Sequence, residues 1–171
     1  MTNLTDLTVD SVAVTTATIG GVNVNAPGVV SALGDTLVAT AALHAGKVVA
    51  FGKTDGTEVT LPAATGTGNV YTFVIAVTAT SSANIIKVAN ATDVMNGSLN
   101  IQADDDVDGT LKCWMAEVGD DTMSFAGAAT TGGIVGGRIT CIDYAAGFWS
   151  CTAFTISSGG SEATPFSATV A

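Results

Sequence analysis

"LPAATGTGNVYTFVIAV", residues 61–77, decides how this chain reads. Leu61 ends a run over 57–61 in which Val59 and Leu61 alternate with Glu58 and Thr60, the period-two pattern of a half-buried strand. Pro62 cannot donate to a ladder and stops that run. A loop of Ala, Thr, Gly and Asn follows, with no charge in it. At Val70 a second run begins that is apolar on both faces. Tyr71, Phe73, Ile75 and Val77 fall on one face, and Val70, Val74 and Ala76 on the other. Such a strand is expected inside a sheet, covered on both sides.

Working outward, the same grammar continues from Lys47. Strand-like runs cover 47–52, 57–61, 70–79, 84–89, 94–101, 110–117, 121–126, 138–144 and 148–156, separated by turn signals such as "KTDG", "TSSAN", "NATD" and "AAG". Short strands at this spacing predict an all-β fold, a β-sandwich, jelly roll or small barrel, and a β-sandwich or jelly-roll-like domain is expected over 46–171. Upstream, residues 1–45 read as an extended N-terminal arm and connector. The arm, 1–26, is made of Thr/Val units broken at Gly20-Gly21 and has too few apolar partners to build a core. It is expected to contact another chain. Residues 26–46 fit helical spacing (Val30, Leu33, Leu37, Ala41) and strand alternation (Leu37, Ala39, Ala41, Leu43) equally, and Gly34 weakens the helix.

Composition narrows the function. Charged residues make up 12% of the 171, about half the usual share. Five basic and fifteen acidic residues give a net charge of −10. A nucleic-acid binder needs clustered Lys and Arg, and an anionic membrane surface would repel the chain. No apolar run approaches the roughly 20 residues of a membrane span. "MTNLTDLTVD" has neither a basic start nor an apolar h-region, so the chain is expected to be made and kept in a cytoplasm.

The search for chemistry finds no catalytic set and no cofactor fingerprint. His44, the single histidine, has no carboxylate or nucleophile near it in sequence and reads as a loop or surface residue. "TTGGIVGGR" lacks the Lys-Ser/Thr of a phosphate loop. "DDDVDG", 104–109, starts like a calcium loop, with Asp104, Asp106 and Asp108 at alternate positions before Gly109. Its twelfth position is Met115 instead of Glu, so an acidic hairpin turn is the preferred reading and the three aspartates are weak metal candidates. Asp120–Asp121 read as solvated turn carboxylates. Asn90 and Asn96 match the glycosylation sequon, which has no meaning without secretion. Cys113, Cys141 and Cys151 show no metal spacing and read as free thiols.

"CIDYAAGFWSC", 141–151, predicts a hairpin to the residue. Ala145, Ala146 and Gly147 form the connection, with Gly147 in the left-handed position. Tyr144 then faces Phe148, Asp143 faces Trp149, Ile142 faces Ser150 and Cys141 faces Cys151. One face carries Cys141, Asp143, Trp149 and Cys151; the other carries Ile142, Tyr144, Phe148 and Ser150.

Two separated stretches resemble virion structural proteins of tailed bacteriophages. "EVTLPAATGTGNVYTFVIAVTATSSANIIKVANATDVMNG" is similar to a recurring segment of that family, and "GGRITCIDYAAGFWSCTAF" resembles its later hairpin; together they lie within about residues 45–156. Cys141 and Cys151 stand where aliphatic residues are usual. The resemblance implies a non-enzymatic capsid decoration (cement) protein on the outer surface of a phage head. Its partner would be the major capsid protein, it would sit on the particle as a homotrimer, and it would stabilise contacts between capsomers without cofactor, nucleic acid or membrane. A head- or tail-fibre domain binding a host receptor or glycan is the alternative. It would need exposed aromatics at loop tips, and Trp114 and Trp149 both lie in strands.

Overall fold

The computed structural model describes residues 17–19, 22–24, 28–104, 111–127, 130–158 and 162–170. Among the described residues, strands β1 (Ala17–Ile19) and β2 (Val22–Val24) pair with each other, antiparallel, and every other described strand belongs to one of two sheets. The larger contains β3 (Val29–Ala32), β5 (Val48–Phe51), β7 (Val70–Ile75), β9 (Val94–Ala103), β10 (Leu111–Met115), β12 (Arg138–Ala145) and β13 (Phe148–Ser157). The smaller contains β4 (Thr36–Val38), β6 (Glu58–Thr60), β8 (Asn84–Lys87), β11 (Thr122–Phe125) and β14 (Phe166–Ser167). The spatial orders are β10-β9-β13-β12-β7-β5-β3 and β14-β11-β8-β6-β4.

From β3 to β8 the chain changes sheet at every step. Strands β3, β5 and β7 are therefore parallel neighbours in one sheet, and β4, β6 and β8 in the other. Parallel neighbours need a crossover, and a helix usually supplies it. Here the crossover is a strand of the opposite sheet. That is how a sequence of short strands and short turns builds parallel ladders with almost no helix. Further on, β12 and β13 form the expected hairpin, and β13 runs parallel to β9 along its whole length. The all-β two-sheet sandwich is thus present, with mixed ladders in place of the antiparallel Greek keys of a jelly roll.

Alternation drives the packing. Tyr71, Phe73 and Ile75 of β7, Val49 and Phe51 of β5, and Trp149 and Cys151 of β13 point inward. They meet Val59, Ile86, Met123 and Phe125 from the smaller sheet in one core. Phe51 stacks on Phe73 at 5.7 Å, and Trp149 meets Tyr71 edge-on at 5.6 Å. Each fully buried side chain of this size contributes about 1.5–3 kcal/mol of apolar transfer.

Two expectations need correcting. The ambiguous stretch 26–46 holds, among the described residues, two short strands, β3 and β4, each with a parallel partner, as well as one helical turn, α1 (Ala41–His44). Both sheets therefore reach back ahead of residue 46. Second, β7 is covered on one side only among the described residues. Its outer side carries Val70, Thr72 and Val74, and no described element lies over them.

Candidate functional site

The quoted loop and the predicted hairpin, 78 positions apart at Thr65 and Asp143, form one site. Asp143 lies on the inner face of β12 beside Cys141 and is 3% exposed. A buried carboxylate needs donors. The loop between β6 and β7 supplies them as it crosses from the smaller sheet to the larger. The N–H groups of Thr65 and Gly66 donate to Oδ1 at 2.9 and 2.6 Å. The N–H of Thr67 donates to Oδ2 at 3.1 Å, and the Thr67 and Thr65 hydroxyls reach the same oxygen at 2.6 and 3.3 Å. Successive N–H groups converging on an anion make a backbone nest.

The main chain seals the contact. Gly68 N–H donates to the Asp143 carbonyl, Asp143 N–H to the Asn69 carbonyl, and Gly147 N–H to the Ala64 carbonyl. Gly66 has φ +77°, and a Cβ there would lie 3.3 Å from Ala145 Cα. This is why the loop is built from Thr and Gly. Burial alone would raise the Asp143 pKa; the donors from Thr67, Gly66 and Thr65 outweigh it and hold the carboxyl below its ordinary range. Burial, and secondarily the Asp143 charge, pushes the Tyr71 hydroxyl up to about 12.

The other buried carboxylates are occupied in the same way. Asp93 accepts the Ala64 N–H at 2.8 Å. Asn90 caps that turn, its side-chain oxygen accepting the N–H groups of Thr92 and Asp93. The sequon asparagine is therefore a turn residue. Asp120 and Asp121 are buried, contrary to the solvated reading. Asp120 accepts the Glu117 N–H, and Asp121 accepts the N–H groups of Thr169 and Val170, which ties the C-terminal segment to β11. Glu162 sits against Lys112 at 2.9 Å, and that hydrogen bond lowers its pKa.

Asp104 is exposed at the end of β9, whereas Asp106 and Asp108 lie outside the described residues. Among the described residues no three metal-ligating side chains cluster. His44 is buried, not on the surface; its Nδ1 accepts the Thr40 N–H at 2.9 Å, and burial lowers its pKa. Trp149 is likewise buried.

The predicted register holds through Cys141–Cys151, Ile142–Ser150 and Asp143–Trp149, and Gly147 has φ +80°. A bulge at Tyr144 then places Ala145, not Tyr144, opposite Phe148. The two rings still meet, 6.2 Å apart. Cys141 and Cys151 are free thiols with sulfurs 3.5 Å apart, and the hydrogen bond from Cys151 together with burial raises the Cys141 pKa well above the ordinary thiol value.

The outer face of the seven-stranded sheet is the second notable surface. Tyr144, Phe148 and Phe154 stand on it, 49, 43 and 50% exposed. Between them lie hydroxyl and amide side chains, including Asn96, Ser98, Asn100, Thr140 and Thr152, which line two shallow depressions. The side chains of all seven strands that point this way include no acid, and Arg138 is their only charge.

These observations define the chain as an all-β two-sheet protein whose buried carboxylates organise loops and whose larger sheet leaves one face open. Comparison with known protein families, characterised proteins and solved structures finds none that matches it.

Proposed function

We propose that the chain is a non-enzymatic structural protein of a tailed-phage virion, a capsid decoration (cement) protein that binds the outside of the head and strengthens contacts between capsomers. The observation that carries this reading is the union of the two resembling stretches. Residues that look recurrent in the sequence, Thr65 to Thr67 on one side and Asp143 on the other, meet in a single latch that holds the sheets together. What the two stretches have in common is thus a scaffold. The buried acids Asp93, Asp120, Asp121 and Asp143 are each engaged by backbone N–H groups, which favours a structural role over acid–base work. Homotrimers at capsomer junctions would add avidity to individually weak contacts.

A second reading, a fibre domain that binds a host receptor or glycan, gains support from Tyr144 and Phe148. They are half-exposed at the closed end of the β12–β13 hairpin, next to Asn96, whose amide donates to the Tyr144 hydroxyl at 3.0 Å. Cryo-electron microscopy of the virus that encodes the chain separates the two. Density for this fold on the head surface supports the cement reading, and density only at a fibre tip replaces it with the second.

A further inference from the structure

We infer that the outer face of the seven-stranded sheet is the surface that docks on the capsid shell, with Tyr144, Phe148 and Phe154 as its anchors. The inference rests on the cement reading and adds the orientation of the subunit.

Charge gives the first argument. The chain carries fifteen acids, yet among the described residues none points outward from the strands of this sheet. Elsewhere the molecule is different: Glu58 stands on the smaller sheet paired with Lys87, and the exposed Asp35 and Asp55 share Lys53, which leaves an excess of negative charge. With the larger sheet against the shell, the negative charge faces solvent and keeps the loaded particle soluble. Arg138 fits the same orientation. It is exposed and makes no ion pair among the described residues, whereas Lys53, Lys87 and Lys112 are all paired. It is free to meet a carboxylate of the shell.

Size gives the second argument. Seven strands about 4.8 Å apart, most of them about 15–30 Å long, present roughly 700 Å². A stable standard-size interface needs about 800 Å² from each partner. Aromatic residues and arginine are enriched in such interfaces, and this face carries Tyr144, Phe148, Phe154 and Arg138.

Chain continuity gives the third. Strand β3 is the edge strand of this same sheet, so the residues ahead of it in sequence join the domain at the border of the docking face.

The test uses the full chain and heads of the encoding phage assembled without it. Binding is read by co-sedimentation for the wild type, for Phe148→Glu/Phe154→Glu, and for Val38→Glu on the smaller sheet. The expected result is wild-type binding, an affinity lower by about 100-fold or more in the double variant, as loss of anchor aromatics produces, and a change under about threefold in Val38→Glu. Hydroxyl-radical footprinting of the bound wild type covers the case of a misfolded variant: oxidation of Tyr144, Phe148 and Phe154 falls on binding while that of exposed Leu43 does not. If the wild type binds and the three aromatics stay equally oxidised, or the double variant binds as tightly, the docking face is wrong and the cement reading stands. If the wild type does not bind heads, both are wrong.

Discussion

At the scale of single residues, Asp143 carries the most structural consequence. Its carboxylate satisfies five N–H and O–H donors from Thr65, Gly66 and Thr67. Removing it leaves those donors, which stand on an exposed loop, without their acceptor, at about 1–3 kcal/mol for each one that water cannot reach. Asp143→Ala is expected to destabilise the fold by about 3 kcal/mol or more, lowering the melting temperature by roughly 6–12 °C for a chain of this size. Calorimetry against Asp55→Ala, at an exposed acid, checks it. The pH dependence has a definite sign. The folded pKa of Asp143 lies below its unfolded value, so its contribution is complete above the ordinary Asp range and disappears as pH falls through the lower folded value. Urea midpoints measured from pH 6 down to pH 3 should fall in the wild type and fall less steeply in Asp143→Asn.

At the scale of elements, two pairings depend on close backbone approach. In β9, Gly97 has φ +133°, and a Cβ there would lie 1.9 Å from the Cys151 carbonyl oxygen across the parallel β9–β13 ladder. Gly97→Ala must strain the backbone or part the strands, with an expected loss of about 2–4 kcal/mol. Gly28→Ala meets nothing within 4 Å and should stay within about 0.5 kcal/mol of wild type. Denaturation of the two variants side by side tests the contrast. Across the β12–β13 hairpin, Cys141 and Cys151 are buried, and the Cys141 pKa is raised, so its reactive thiolate is scarce. Iodoacetamide on the native protein is expected to label exposed Cys113 alone, and all three thiols once urea is added. Mass spectrometry reads the difference, and rapid native labelling of Cys151 would show that the hairpin opens readily.

For the whole molecule, β1 and β2 pair, among the described residues, with each other and with neither sheet. Deleting residues 1–26 should therefore cost the free domain little: a melting-temperature change of only a few degrees is expected. Attachment to heads should weaken by a much larger factor, because the deleted segment joins the sheet that we propose docks on the shell. Parallel melting and co-sedimentation experiments compare the two effects. A large drop in melting temperature with unchanged binding would place the segment inside the domain instead. The mixed ladder also bears on folding. Pairing β3 with β5 with β7 through strands of the other sheet gives long-range contacts throughout, so folding is expected to be slow for the chain's size.

What the sequence determined by itself is local and periodic. Alternation at Tyr71, Phe73 and Ile75 selects the inner face of β7, whatever strand lies beside it. Gly147 and the spacing of Cys141 and Cys151 set the hairpin register, because a short connection leaves few ways to pair. The features that depend on the folded chain are non-local. Period two is the same in parallel and antiparallel ladders, so the winding of β3 to β8 between two sheets left no mark in the pattern. Strands β3 and β4 were hidden because runs of four and three residues fit a helix as well as a strand until β5 and β6 supply partners. The bulge at Tyr144 sits beside the β6–β7 loop that holds Asp143. Asp143 itself offered one clue, an acid alternating onto the face of Cys141, Trp149 and Cys151. Its donors lie more than seventy residues upstream, and only folding brings them within hydrogen-bond reach.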